Sequence, residues 1–146
     1  MRHQSLFSAA IVGAALLVGA TACGQKKVGE CNQLIEVINK GVESLNKTPK
    51  GGTDPTGANE LKSMADAMDK VAADAAKVEL TIPDLKKYST EYQAMAKDVA
   101  KAARDMAAAA EAKDLAKINS AQAALDKAVK QEDPLVDSIN KFCQAP

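Results

Sequence analysis

The chain has 146 residues, 19 Lys+Arg against 19 Asp+Glu, and an apolar fraction of 47 %. Its length suits one domain, and its zero net charge excludes a surface built for nucleic acid, which carries a basic excess. Alanine supplies 29 of the residues, Trp is absent, and Phe and Tyr number two each. Alanine buries little area but is the strongest helix former, so the composition excludes an ordinary β-sandwich and disfavours a βαβ fold.

Residues 1–24 have a character of their own. Arg2 and His3 make a short basic start. Leu6 to Ala20 is apolar apart from Ser8, with Ile11, Val12, Leu16, Leu17 and Val18 at its centre, and Ala20-Thr21-Ala22-Cys23-Gly24 follows. A basic start, an apolar stretch and small residues before a cut mark a secretory signal peptide. The apolar run is short for a membrane span and gives way to Gln25-Lys26-Lys27. The segment resembles a bacterial lipoprotein signal, whose core here is Ala20-Thr21-Ala22-Cys23, with Ala20 where Leu is usual. That resemblance implies cleavage before Cys23, a thioether-linked diacylglycerol on its sulfur, and a membrane anchor. In such proteins an Asp after the cysteine commonly retains the chain at the inner membrane, so Gly24 points to the outer one. Ala20 and Ala22 also suit an ordinary signal peptidase, which would leave a soluble secreted protein with a free Cys23.

On the lipoprotein reading, residues 1–22 are the signal, 23–30 a lipid-anchored tether and 31–146 the folded domain. Three cysteines in an exported protein leave one over. With lipid on Cys23, Cys31 and Cys143 remain, and an oxidising compartment favours joining them; two free thiols are the alternative. The mature 124 residues carry 18 basic and 19 acidic side chains, so no polybasic membrane patch exists beyond Lys26-Lys27.

The first helix is expected from Cys31 to Lys47, where Leu34, Ile35, Ile38, Val42 and Leu45 recur at three- and four-residue steps. Gly41 weakens it by about 1 kcal/mol relative to Ala. Thr48 to Gly57, with two prolines and three glycines, reads as a loop. The second helix spans Ala58 to Val78 on a heptad seam of Leu61, Met64, Met68, Val71, Ala75 and Val78. Glu79 to Asp84 breaks it, with Thr81 placed to cap the next helix and Pro83 to open it. The third helix runs from Pro83 to Ala112 on Leu85, Tyr88, Tyr92, Met95, Val99, Ala102, Met106 and Ala109, with Ser89, Ala96, Ala103 and Ala110 beside that seam. Lys97, Arg104 and Glu111 fall on the water side. The fourth helix starts at Lys113 or Asp114 and carries Leu115, Ile118, Ala121, Leu125 and Val129. Pro134 interrupts it, and Asp133 is placed to cap a restart bearing Leu135, Val136, Ile139, Phe142 and Cys143. One bent helix and two stacked helices both fit the pattern.

Four amphipathic helices with short connections predict an all-α, antiparallel up-down-up-down four-helix bundle, its fourth helix bent or broken near Pro134. That topology brings the start of the first helix and the end of the fourth to one end, and with them Cys31 and Cys143. Gly24 to Glu30 would reach at most about 25 Å if extended, so the cysteine end is expected to face the membrane. The third helix is longer than the first, so its Ala107–Ala110 end is expected to protrude, with the Thr48–Gly57 loop placed to fold over the gap.

The only histidine is His3, which leaves with the signal. A His-ligated haem, a Glu-x-x-His di-iron site and a Ser/His or Cys/His nucleophile pair are thereby excluded, and zinc is disfavoured with the cysteines otherwise engaged. Gly51-Gly52 lacks the Lys and Ser/Thr of a phosphate loop. Met64, Met68, Met95 and Met106 offer thioethers that suit Cu(I), but their seam positions suit core filling better. Tyr88, Tyr92, Gln122 and Glu132 are candidate buried polar groups, the tyrosines with hydroxyls expected to reach outward. Asp66/Asp69 and Glu132/Asp133 have no partner that would make an acid–base couple, and Asp98/Lys101 and Asp69/Lys70 read as solvated surface. No repeat beyond the heptad is present. No cofactor is expected, and no catalysis.

The expectation is therefore an envelope lipoprotein held to the membrane through Cys23, acting as a non-catalytic interaction or structural module with an envelope protein partner. It looks loosely like small helical bacterial lipoproteins of unassigned function. The alternatives are a periplasmic bundle that holds a small ligand between alanine-rich seams, and an envelope chaperone with an open apolar cradle.

Overall fold

A computed structural model describes residues 22–47 and 54–145, with side chains from residue 24 onward. Most of the expected signal, and residues 48–53 of the expected loop, lie outside the described residues. Five helices follow in order: α1 (Ala22–Asn46), α2 (Ala58–Ala76), α3 (Pro83–Glu111), α4 (Leu115–Val129) and α5 (Glu132–Gln144). No strand occurs among the described residues, so the fold is all-α. α3 is the common neighbour: α1, α2, α4 and α5 all pack against it.

Each boundary has a local cause. α2 starts where Gly57 takes a left-handed φ of 69°, a conformation open to glycine at little cost. Asp54 then satisfies the first amides, accepting from Thr56 N at 2.9 Å and Asn59 N at 2.9 Å. The Thr56 hydroxyl donates to Asp54 at 2.6 Å. That hydroxyl and these amides pull the Asp54 carboxyl down to about 2. α3 ends in a left-handed turn at Lys113, φ 54°. There the Lys113 amide donates to Ala110 O at 3.1 Å and the Asp114 amide to Ala109 O at 3.0 Å, which satisfies carbonyls the helix leaves free. Asp114 then caps α4 by accepting from Lys117 N at 3.1 Å.

Several expected details change. α1 begins at Ala22 rather than Cys31, so the segment expected to be a tether is helical. The helix break lies at Lys130–Gln131, ahead of Pro134. Pro134 sits instead in the first turn of α5, where its missing N–H costs little. Asp133 shares that turn and does not cap it; the cap position is Gln131, without a side-chain bond. Thr81 likewise does not cap α3, whose cap position is Ile82. Leu115, expected on the apolar stripe, is 74 % exposed. Ala107 and Ala109, at the end of α3 expected to protrude, are buried.

The core is thin-walled. Leu34, Ile38, Met68, Val71, Leu85, Tyr92, Met95, Val99 and Ile139 provide its large side chains, and Ala65, Ala72, Ala96, Ala100 and Ala103 lie fully buried among them. Small side chains let helix axes approach closely. Gly41 marks the tightest such place: a Cβ there would lie 2.6 Å from Val71 Cγ2 and 3.0 Å from Cγ1. Across the outer surface, Arg104 reaches Asp66 at 2.8 Å and Asp69 at 2.7 Å, and Lys62 pairs with Glu111. All of these groups are at least two-fifths exposed, so solvent screens these pairs and they add little to stability.

Substituting Gly41→Ala gains about 1 kcal/mol of helix propensity and forces overpacking that costs about 1–3 kcal/mol against the stiff, β-branched Val71. The expected net effect is destabilisation by about 1 kcal/mol. Urea denaturation of Gly41→Ala, Val71→Ala and the double variant checks it: the double variant should lose less than the two single losses added together.

Candidate functional site

The cysteines singled out by the sequence lie towards one end of the molecule. Cys31 in α1 and Cys143 in α5 form a disulfide, with Cα atoms 5.8 Å apart across a sequence separation of 112. Cys31 is buried and Cys143 half-buried. The backbone of Cys23 belongs to the first turn of α1, two helical turns ahead of Cys31; its side chain lies outside the described residues.

One residue before the disulfide, Glu30 is 7 % exposed. Its Oε2 accepts from the Thr81 amide at 2.8 Å and the Ile82 amide at 3.0 Å, and its Oε1 accepts from the Thr81 hydroxyl. A carboxylate from α1 thus takes up the cap-position amide of α3, the task a Glu within the helix performs in a capping box. Burial raises the pKa of such a carboxyl. The Thr81 hydroxyl, the Ile82 and Thr81 amides and the Lys26 charge together outweigh it, and hold Glu30 below the usual carboxylate range.

Nearly one turn earlier, Lys27 fastens α1 to the end of α5. Its Nζ lies 4.6 Å from the Phe142 ring centroid and donates to the Ala145 carbonyl at 2.7 Å. Phe142 meets Tyr88 of α3 edge to face, with centroids 5.9 Å apart and planes at 64°. Within about three turns, α1 is therefore held by a covalent bond, a buried carboxylate and a cation over a ring. These bonds use the polar groups present for structure.

The other candidates are dispersed. Tyr92 is 2 % exposed, so its hydroxyl does not reach outward as expected. Burial, with the charge of Glu132 added, pushes that hydroxyl far up. Glu132 is half-buried, and burial, then the neighbouring Asp133, raises its carboxyl. Gln122 is exposed. Met68 and Met95 are buried in the core, with Met64 packed against it. Asp66 and Asp69 are bound by Arg104, and Lys101 pairs with Asp105 rather than Asp98. No group of three or more His, Cys, Asp or Glu suited to a metal occurs among the described residues. An open hollow of about 230 Å³ lies between the end of α2 and the start of α3, lined by Ala75, Val78, Leu80, Lys86, Ser89 and Gln93 among others. Ser89 donates to Ala75 O at 3.3 Å and Gln93 to Ser89 at 3.1 Å, so its central polar groups are already engaged. None of the described helices is long and apolar enough to cross a membrane.

No protein-family model, curated protein or solved structure matches this chain. Its site residues stand on their own geometry. Glu30 and Lys27 escape a reading of apolar spacing because both lie on the segment that pattern assigns to a tether. The one available signal was Glu30 itself, an acid immediately before a cysteine that the topology carries to the α2–α3 link.

Two outcomes follow from this geometry. Replacing Cys31 and Cys143 together with Ser should lower stability by about 4–5 kcal/mol in the chain-entropy view, read from urea midpoints with and without reductant on the parent chain. Glu30→Gln, which supplies one acceptor oxygen and an unwanted donor, should cost about 1–3 kcal/mol near neutral pH. Because folding lowers the Glu30 pKa, its contribution is complete above the unfolded carboxyl value and fades as pH falls through the folded one. The gap between parent and Glu30→Gln should therefore narrow below about pH 4.5, the ordinary value for Glu, in denaturation curves taken across that range.

Proposed function

We propose that the mature chain is a lipid-anchored, non-catalytic interaction or structural module of the bacterial envelope, attached through Cys23 and directed by Gly24 toward the outer membrane. The observation that carries this reading is the position of Cys23. It follows a signal-like segment in the sequence and stands on the same helix as Cys31, at the end where the disulfide, Glu30 and Lys27 hold the domain together. A lipid on Cys23 would load the strongest-braced part of the fold. An oxidised cysteine pair also suits an exported protein.

We further infer that α1, α2, α3 and the α4–α5 arm run up, down, up and down. Residue pairs support this for α1 with α2 and for α2 with α3, and the contact of Tyr88, early in α3, with Phe142, late in α5, supports it for the last arm. Glu30 meets Thr81 while Gly41 meets Val71; Ser89 meets Ala75 while Arg104 meets Asp66 and Lys62 meets Glu111. In each case rising numbers on one helix meet falling numbers on the next.

Expression of the full chain in a lipid-modifying bacterial host tests the anchor. The mature N-terminal peptide should begin at Cys23 with the added mass of a diacylglyceryl group, and the protein should sediment with membranes. Cys23→Ser should abolish both. A soluble mature chain beginning at, or one residue away from, an unmodified Cys23 would replace this reading with ordinary secretion.

A further inference from the structure

The lipid-anchor reading leaves open how the domain stands at the membrane, and the first two turns of α1 bear on that. An anchored domain on a loose stalk needs chain that neither folds nor binds. Here α1 is continuous from Ala22 through Cys31. Cys23 and Cys31 are separated by about 12 Å along one helix axis, less than half the reach of the same residues extended. Lys27 is tied to Phe142 and Ala145, Glu30 to Thr81 and Ile82, and Cys31 to Cys143. Chain with three successive fastenings cannot act as a stalk.

The groups left outward on this segment carry no negative charge. Gln25, Lys26, Val28 and Gly29 are exposed, and residues 22–29 contain no acid. The first acid, Glu30, is buried under the Thr81 and Ile82 amides. Val28, at 52 % exposure, and Leu115 at the start of α4 are the large apolar residues left exposed among the described residues. Lys141 adds an exposed cation in the last turn of α5, two residues before Cys143. The α2–α3 link brings exposed Glu79 and Asp84 to the same end, Lys86 and Lys87 follow them on α3, and Asp137 is exposed one turn ahead of Lys141 on α5, so the uncompensated cation of this end is Lys26 on the first two turns of α1. An exposed Lys26 and an exposed Val28, on a helix that starts at the residue that would carry the acyl chains, suit an anionic phospholipid headgroup layer, where a nearby Lys is attracted to the surface.

We infer that the end of the domain formed by the first two turns of α1 and the last turn of α5 sits directly on an anionic phospholipid surface, with no flexible stalk. This rests on the lipid-anchor reading. Lys26 and Lys141 reach the headgroups, Val28 meets the interfacial layer, and Lys27 holds α1 and the end of α5 together as one footing. Lipid on Cys23 supplies residence at the membrane; the footing supplies orientation.

Hydrogen exchange read by mass spectrometry tests it on two preparations. One is the full lipidated chain in vesicles of phosphatidylcholine with phosphatidylglycerol; the other is the soluble Cys23→Ser chain. Amides of residues 26–30 should exchange at least tenfold slower than in an unstructured peptide in both. On the vesicles, residues 24–30 and 139–145 should slow a further threefold or more, while residues 107–118 stay unchanged. Lys26→Glu should remove most of that extra slowing, and Lys117→Glu should not. Exchange of residues 26–30 at peptide rates in a chain whose mass includes the diacylglyceryl group would overturn the footing and leave the anchor reading standing. Equal exchange at this end on vesicles and in solution would do the same. A chain recovered without the lipid mass would overturn both.

Discussion

A carboxylate taken out of water must find donors or accept a proton, and Glu30 meets that requirement with two amides and a hydroxyl from a different part of the chain. The bond set has consequences in both directions. It fixes where α3 starts, because the cap-position amide of Ile82 is satisfied only when α1 lies alongside. It also fixes the register of α1, because moving Glu30 by one residue would turn the carboxylate about a third of the way round the helix and leave it without those donors. Cys31 follows immediately, so the same register carries its sulfur to Cys143. The non-covalent lock and the covalent one depend on a single placement.

That dependence matters because the interior offers little else to enforce a unique packing. Alanine against alanine brings backbones close but buries few atoms per contact, and faces made of small side chains discriminate weakly between neighbouring registers. The larger residues supply most of the apolar burial. Specificity comes from a few points of contrast: Gly41 under Val71, Glu30 under Thr81, Ser89 bonded to the Ala75 carbonyl. The surface pairs of Arg104 with Asp66 and Asp69 reinforce the α2–α3 register without contributing much stability, being exposed to solvent.

What could be read from sequence follows the same division. The heptads of α2 and α3 gave their bounds to within two residues because Leu, Met, Val and Tyr stand out against a polar background. Ala65, Ala72, Ala100 and Ala107 were not legible as core, since alanine occurs on every face of these helices and periodicity cannot separate the buried ones. Residues 23–30 read as a tether because no apolar periodicity runs through them, yet α1 extends across them, and Lys27 and Glu30 there bind distant partners. Leu115 fits the stripe of α4 by spacing but lies at its first residue, just past the left-handed turn at Lys113, where the helix has not yet come against α3. The disulfide partners were legible by arithmetic. The carboxylate beside them was not, because its worth exists only once two remote segments have met.

The convergence of α1 and α5 on one end also decides where the molecule can be altered. The carbonyl of Ala145 is a partner of Lys27, which also lies over the Phe142 ring, so a reporter placed directly after it would crowd those contacts. The turn at Lys113 and Asp114, at the opposite end of a helix of 29 residues, lies about 43 Å away along that axis and is exposed or half-exposed on both residues. Reporter insertions belong there, clear of the bonds that join α1 to α5.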